Sequence, residues 1–183
     1  MTVADAQREM RSVYQGGAIG QIVSGAIWLA SAALGTWAGT RQGIIALVVG
    51  GMFIFPITQL LLRLAGRPYA LRPENPLGGL AMQVAFTVPL ALPVVGGAAL
   101  HNVNWFYPAC MMIVGAHYLP FIFLYGMWQY GALAAALLGG GLALGLWMPD
   151  RFIPGGWLGG AAMLLFALAA WRIHEGEASR EAP

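Results

Sequence analysis

The sequence predicts an all-α membrane protein with six transmembrane helices in one bundle, and three observations lead to this fold class. Of the 183 residues, 59% are hydrophobic and only 9% are charged, against roughly 25% charged residues in an average soluble domain. The apolar residues fall into six runs, each close to the about 20 residues that cross a bilayer as a helix. Arginine and tryptophan collect at the ends of these runs. A single membrane domain therefore accounts for residues 1–183, and no soluble domain fits in what remains.

Residues 2–15 predict a short amphipathic helix ahead of the first span. Apolar residues recur there at helical spacing between charged ones, which is typical of a helix with one apolar face. Thr2 followed by Asp5 indicates a capping box, and the glycine pair at 16–17 separates this helix from the membrane segment. We expect it to lie flat on the membrane interface.

Hydropathy and breaking residues set the boundaries of the spans and of the polar tail. We predict the spans at residues 16–38, 43–64, 76–100, 106–128, 130–148 and 155–173. Prolines inside these spans predict local bends or openings of the hydrogen-bond ladder, at Pro56, Pro89, Pro93 and Pro120. Residues 174–183 are polar, and we expect a disordered tail there.

The distribution of arginine predicts that both termini are cytoplasmic. Seven of the nine arginines fall on the side of the N-terminus, whereas only Arg41 and Arg151 fall on the other side, as the positive-inside rule requires. Six of the seven tryptophans lie at span ends, where aromatic belts occur, and only Trp28 lies within a span. The net charge of +2 is therefore attributed to membrane orientation and not to nucleic-acid binding.

Missing residue types exclude several classes of function. No aspartate or glutamate lies inside a predicted span, which argues against a carboxylate-driven transporter, an intramembrane aspartyl protease and a two-carboxylate metal enzyme. Lysine is absent, so Schiff-base chemistry is excluded, and Cys110 has no second cysteine to pair with. No HExxH, GxSxG or P-loop motif occurs. We therefore expect no enzyme activity, no cofactor and no metal site.

His117 is the ionisable residue that the sequence places deepest in the membrane. An ionisable side chain at this depth is costly and is a functional candidate by default. Pro120 follows three residues later and cannot donate to the carbonyl of Ala116, which leaves an acceptor open. Three interpretations remain open: a neutral histidine bonded to another helix, a ligand-contacting or proton-relay residue, and a haem or metal ligand.

Three glutamines, Gln21, Gln59 and Gln83, lie at similar depth on three spans and predict an inner polar layer. Such a layer either lines a vestibule that opens to the cytoplasm and stops at His117, or cross-links the helices through amide hydrogen bonds. Adding two aromatic residues gives the predicted ligand site, which comprises His117, Gln59, Gln83, Gln21, Tyr118 and Trp28.

The loop after the second span is the most basic surface of the chain, through Arg63, Arg67 and Arg72. Such a cluster suits an anionic lipid head group. The alternative is that these arginines only set the topology.

The chain resembles a family of small bacterial membrane proteins known as domain of unknown function 7010. Four stretches carry the resemblance: QREMRSVYQGGAIGQIVSGAIWLAS, GGMFIFPITQLLLRLAGRP, ENPLGGLAMQ and GAHYLPFIFLYGMWQYG. The resemblance extends from Arg8 to Tyr130, and the last two spans are generic. It implies a six-helix protein of the bacterial inner membrane, and it transfers no activity and no functional residue.

Two classes of function follow from these patterns. The first is a small transport or ligand-binding bundle for a neutral or amphipathic solute or a membrane lipid, with its site at mid-membrane around His117. The alternative is a structural or regulatory subunit that packs in a homo- or hetero-oligomer through glycine faces, formed by Gly155 with Gly159 and Gly141 with Gly145. A lipid enzyme with His117 as base lacks a second catalytic group.

Overall fold

The computed structural model describes residues 1–66 and 70–181, with side chains described as far as Arg172. The α-helices are α1 (Val3–Tyr14), α2 (Ala18–Trp37), α3 (Thr40–Leu64), α4 (Leu77–His101), α5 (Phe106–Tyr125), α6 (Gln129–Trp147) and α7 (Pro154–Glu181). No strand occurs in these described ranges. Six helical segments are long and apolar enough to cross a membrane, which confirms the predicted all-α, six-span fold class.

The observed helices lie within a few residues of the predicted spans, with one difference at the C-terminus. Helix α7 continues to Glu181, so the backbone of most of the segment expected as a disordered tail is helical. Its alanine, glutamate and arginine residues have high helix propensity, which explains the continuation. The helices also run without interruption through the prolines of α3, α4 and α5.

Four helices form the core of the bundle, and two lie at its flanks. Helix α7 packs on α2, α6 packs on α5 and α7, and these contacts enclose most buried side chains. Helix α3 packs mainly on α2, and α4 packs mainly on α5. In the most apolar stretch of each span, only 6% of the residues of α3 and 11% of those of α4 are buried, against 33% to 44% in the other spans. Helices α3 and α4 therefore leave most of their surface open to the membrane.

Glycines bring the core helices into direct contact. A Cβ atom at Gly159 would lie 2.6 Å from the ring of Trp28, and one at Gly155 would lie 2.6 Å from Cβ of Tyr107. Gly141 is covered in the same way by Pro108 and Met112 of α5, and Gly145 by Trp105 just before that helix. The glycine faces assigned above to an outside partner are thus covered by other residues of the same chain.

Helix α1 packs beneath the bundle, and we call the end that it covers the α1 end. The expected capping box forms, since Asp5 N donates to Thr2 Oγ1 at 3.2 Å and Thr2 N donates to Asp5 Oδ2 at 3.1 Å. Ala6, Met10 and Val13 on its apolar face are buried. This face therefore packs against protein, whereas a freely lying interfacial helix would bury it in lipid.

Polar side chains of α1 hold the last turn of α5. Gln7 Nε2 donates to the carbonyl of Phe123 at 2.6 Å, and Arg11 Nη1 donates to the carbonyl of Tyr125 at 2.7 Å. The last carbonyls of a helix have no intrahelical donor and carry partial negative charge. Arg11 supplies both a hydrogen-bond donor for these carbonyls and a positive charge next to their partial negative charge.

Glu9 fastens α1 to the loop between α3 and α4. Its Oε1 accepts from the backbone N of Arg72 at 2.8 Å and lies 3.2 Å from Nε of the same residue. Its Oε2 accepts from Asn75 Nδ2 at 3.0 Å, and Asn75 is itself buried. One carboxylate thus joins two segments that are distant in sequence.

We expect acid to loosen this attachment. The hydrogen bond from the backbone of Arg72, with those from the Asn75 and Arg72 side chains, lowers the pKa of Glu9 below its ordinary value of 4.5. Stabilisation from a lowered carboxyl pKa is present above that ordinary value and is lost as the pH falls through the lowered pKa. Hydrogen exchange of residues 3–14, corrected for the intrinsic rate, should therefore accelerate below about pH 4.5.

The matched variant is Glu9→Gln, which keeps the size of the side chain and removes its titration. It should exchange faster than wild type at neutral pH and lose most of the acid-induced change. Identical pH profiles for the two proteins would show that Glu9 does not hold α1.

Candidate functional site

His117 of α5 is hydrogen-bonded to Thr87 of α4. Its Nδ1 lies 2.9 Å from Thr87 Oγ1. Thr87 Oγ1 also donates to the carbonyl of Val84 at 2.7 Å, one turn earlier on α4, a bond typical of threonine inside a helix. The interpretation of His117 as a histidine bonded to another helix is therefore correct.

The His117–Thr87 pair lies at the edge of the bundle. Thr87 is exposed and His117 is half-buried. Gln83 lies four residues before Thr87 on the same face of α4 and is exposed too, so it faces outward and not into the predicted inner layer. We call these three side chains the polar notch. It faces outward from the bundle, near the middle of α4 and α5.

Aromatic rings connect the polar notch to the core. The ring centroid of His117 lies 5.4 Å from that of Tyr118 and 5.0 Å from that of Phe121. Both of these rings contact Tyr130 of α6, at 5.9 and 5.2 Å. The contacts continue to the remaining rings of what we call the aromatic cluster, which consists of Tyr118, Phe121, Tyr125, Tyr130 and Phe166.

Of these five rings, the predicted ligand site includes Tyr118 alone. Tyr118, Phe121 and Tyr125 recur at i, i+3 and i+7, a spacing that places them on one face of α5, so this part of the cluster was detectable. Tyr130 and Phe166 belong to α6 and α7, and their position depends on how those helices pack.

Gln21 lies among the hydroxyl groups of the aromatic cluster and is only 3% exposed. Its amide lies beside the hydroxyls of Tyr118 and Tyr130, and Tyr130 Oη donates to the carbonyl of Gly16 at 2.8 Å. Within the described ranges, Gln21 Oε1 has no donor. A buried acceptor without a donor costs about 1–3 kcal/mol, so a ligand or water that donates to it would be stabilising.

Gln59 reaches the same layer from α3. Its amide lies beside the hydroxyl of Tyr14 at the end of α1, and Tyr14 in turn lies close to Tyr125 of the aromatic cluster. The described part of the chain offers no donor to its buried Oε1 either. Gln59 thus approaches the aromatic cluster through Tyr14, whereas Gln21 contacts it directly.

Trp28 lies away from this site. Its ring is 3% exposed, covers Gly159 and lies 6.1 Å from the ring of Tyr107. These contacts make Trp28 part of the packing between α2, α5 and α7. The expectation that it lines the ligand site is not supported by its position.

Among the described residues, the α1 end of the bundle is covered where the vestibule was predicted to open. Helix α1 covers that end, where Met10 is 1% exposed and Tyr125 is 6% exposed. The exposed side chains of Thr87 and Gln83 offer a lateral approach to His117, through the polar notch.

Two of the three arginines expected at a lipid head group lie among the described residues. Arg72 is paired with Glu9, and Arg63 is exposed in the last turn of α3. Arg67 lies outside the described residues.

No metal site is apparent among the described residues. Groups of three or more histidine, cysteine, aspartate or glutamate side chains that would hold an ion are absent there. Cys110 is a buried free thiol.

Comparison with known proteins gives one match. A profile described as "Family of unknown function (DUF7010)" matches residues 3–173. No curated protein and no solved structure matches the chain. The residues of the polar notch and of the aromatic cluster all lie within the matched range.

Proposed function

We propose that this chain, which belongs to the DUF7010 family of unknown function, is a membrane-embedded binding protein for a neutral, amphipathic molecule such as a lipid. The observation that carries the proposal is the hydrogen-bonded pair of His117 and Thr87, half-exposed at the edge of the bundle. A polar pair at this depth costs free energy and is therefore a functional candidate. Binding a polar head group that enters from the bilayer would account for it.

The charges around the site favour a neutral ligand. No aspartate, glutamate, lysine or arginine lies between Ala18 and Trp37, or within α5 or α6, so a buried ion would lack a counter-charge. An unpaired ion in an apolar environment is strongly disfavoured. The rings of Tyr118 and Phe121 beside His117 instead suit the apolar part of an uncharged molecule.

The exposed face of α4 supplies a path for an apolar tail. Gln83, Thr87 and Leu90 lie along one side of this helix, with Phe86 between them. Phe86 and Leu90 are 56% and 76% exposed. A lipid with its head group in the polar notch would lay its chain over these two residues without leaving the bilayer.

The remaining expectations join the proposal. We place the protein in the bacterial inner membrane with both termini cytoplasmic, on the arginine distribution and the positive-inside rule. We assign it no enzyme activity. The role of Arg63, Arg67 and Arg72 at a lipid head group stays a prediction, as does transport of the bound molecule.

The test is ligand-dependent stability of the purified protein in nanodiscs. Neutral, anionic and cationic amphiphiles would be added separately, and the melting temperature followed for wild type, His117→Ala, Gln83→Ala and the control Leu100→Ala, which changes a residue that is 91% exposed at the far end of α4. A neutral amphiphile should stabilise wild type and Leu100→Ala. Loss of one hydrogen bond of about 1.4 kcal/mol should weaken its binding to His117→Ala about tenfold. The proposal fails if no neutral amphiphile shifts wild type, or if His117→Ala responds as wild type does.

A further inference from the structure

The hydroxyl of Thr87 determines which nitrogen of His117 carries the proton. A threonine hydroxyl has one proton, and Thr87 donates it to the carbonyl of Val84 at 2.7 Å. Its oxygen must therefore act as acceptor toward His117 Nδ1 at 2.9 Å. The carbonyl of Val84 also lies beside the imidazole, and a carbonyl only accepts. The Thr87 oxygen, as an acceptor, therefore requires a proton on Nδ1.

A neutral imidazole with its proton on Nδ1 has a lone pair on Nε2. No carboxylate lies within the spans to pair with an imidazolium, so the neutral form is the one expected at this depth. Among the described residues, Thr87 is the one side chain that bonds to His117. The Nε2 atom is therefore an open acceptor at the polar notch.

The other open positions of the site are acceptors as well. Gln21 Oε1 and Gln59 Oε1 are buried and lack donors within the described ranges. Both belong to the layer that the aromatic cluster connects to His117. A ligand with an ether, ester or ketone head group would satisfy none of these atoms, because it has no proton to donate.

We infer that the site takes a neutral lipid with a free hydroxyl head group, whose proton is donated to Nε2 of His117. This inference rests on the proposed binding function and adds the chemical class of the ligand. An ammonium head group would also donate, but it would bring a charge into a site with no carboxylate within reach. A hydroxyl donates without that cost.

A matched set of ligands tests the inference: oleyl alcohol, oleyl methyl ether and oleylamine, each titrated into the full-length protein in nanodiscs of zwitterionic lipid. One hydrogen bond of about 1.4 kcal/mol corresponds to about tenfold in affinity. The alcohol should therefore bind about tenfold more tightly than the ether to wild type, and this preference should disappear in His117→Phe, which keeps a ring of similar size.

The outcomes separate this inference from the proposal on which it rests. Equal binding of alcohol and ether, both weakened in His117→Phe, would leave the binding function standing and overturn the hydroxyl class. Tighter binding of the amine than of the alcohol would overturn it too. No binding of any of the three ligands would count against the binding function itself.

Nitrogen NMR on protein labelled with 15N-histidine gives a second readout that does not depend on ligand choice. The chain has three histidines, and the His117→Phe spectrum identifies the signals of His117 by their loss. We expect a protonated Nδ1 and an unprotonated Nε2, with the Nε2 signal shifting when oleyl alcohol is added. A proton on Nε2 in the free protein would overturn the inference.

Discussion

Gly159→Leu is expected to prevent the bundle from assembling. Even the first carbon of the new side chain would lie 2.6 Å from two ring atoms of Trp28. Trp28 is 3% exposed and its neighbour Tyr107 is fully buried, so the indole ring has no space to retreat into. Helices α2 and α7 would have to separate, and the leucine should cost more than the about 1–3 kcal/mol typical of overpacking in a core.

The measurement is unfolding of purified variants, followed by tryptophan fluorescence and gel filtration. Gly159→Ala should lower the free energy of unfolding by about 1–3 kcal/mol, and Gly159→Leu should yield little monodisperse protein. The control is Gly139→Ala on α6, where a Cβ atom meets nothing within 4 Å. Alanine there should be neutral or stabilising by up to about 1 kcal/mol, because it is the better helix former.

The same variants decide whether this glycine face serves the chain itself or another protein. If Gly159→Leu folded with wild-type stability and lost only a co-purifying partner, the contact with Trp28 would not be the one that matters. That result would favour the alternative function, a subunit that packs against another membrane protein through this glycine face.

Gly17→Ala is the second substitution with a large expected effect. Gly17 has a φ angle of +84°, and a Cβ atom there would lie 2.0 Å from Tyr130 Oη. The left-handed backbone costs a non-glycine residue about 1–2 kcal/mol. The tyrosine must also give up its hydrogen bond to Gly16 O, which is worth about 0.5–1.5 kcal/mol. We expect a total loss of about 1.5–3.5 kcal/mol.

Two comparisons separate backbone strain from the clash. Gly66→Ala places a methyl group at a φ of +64° with nothing within 4 Å, so it reports strain alone, about 1–2 kcal/mol. The double variant Gly17→Ala/Tyr130→Phe removes the clashing oxygen and should lose less than the two single variants combined. Equal losses for Gly17→Ala and Gly66→Ala would show that Tyr130 does not approach Gly17 as described.

Gly17 lies where α1, α2 and the aromatic cluster meet, so its substitution also bears on the proposed site. Displacing Tyr130 moves a ring that contacts both Tyr118 and Phe121. Ligand binding at the polar notch should therefore weaken in Gly17→Ala and remain in Gly66→Ala, which lies in the loop after α3.

Two interpretations of His117 that the sequence left open are compatible in the structure. The residue is bonded to another helix through Nδ1, and the proposed ligand contact is made by Nε2. Cross-linking of helices and the proposed recognition of a head group would thus use different atoms of one side chain.

The number and boundaries of the helices followed from the sequence because they depend on local properties. A run of about 20 apolar residues buries its backbone hydrogen bonds internally and crosses the bilayer as a helix whatever its neighbours are. The Thr2–Asp5 capping box was likewise predictable, since both partners lie within one turn.

The side that each helix presents to its neighbours did not follow in the same way. These spans are apolar around most of their circumference, so burial does not select one face. Gln21 and Gln83 were both expected inside at similar depth, yet α2 lies in the core and α4 at the flank. Trp28 was expected near His117 and instead fills the space that Gly159 leaves.

The sequence by itself determined a six-span membrane bundle, the absence of membrane-embedded carboxylates and the presence of a histidine at mid-membrane, because each depends only on local composition. The tertiary structure decided which surfaces the chain keeps for itself. In it, the glycine faces pack against other helices of the chain and α1 covers one end of the bundle. The His117–Thr87 pair lies at the side. This packing depends on shape complementarity between helices, because the contacting residues are distant from one another in the sequence.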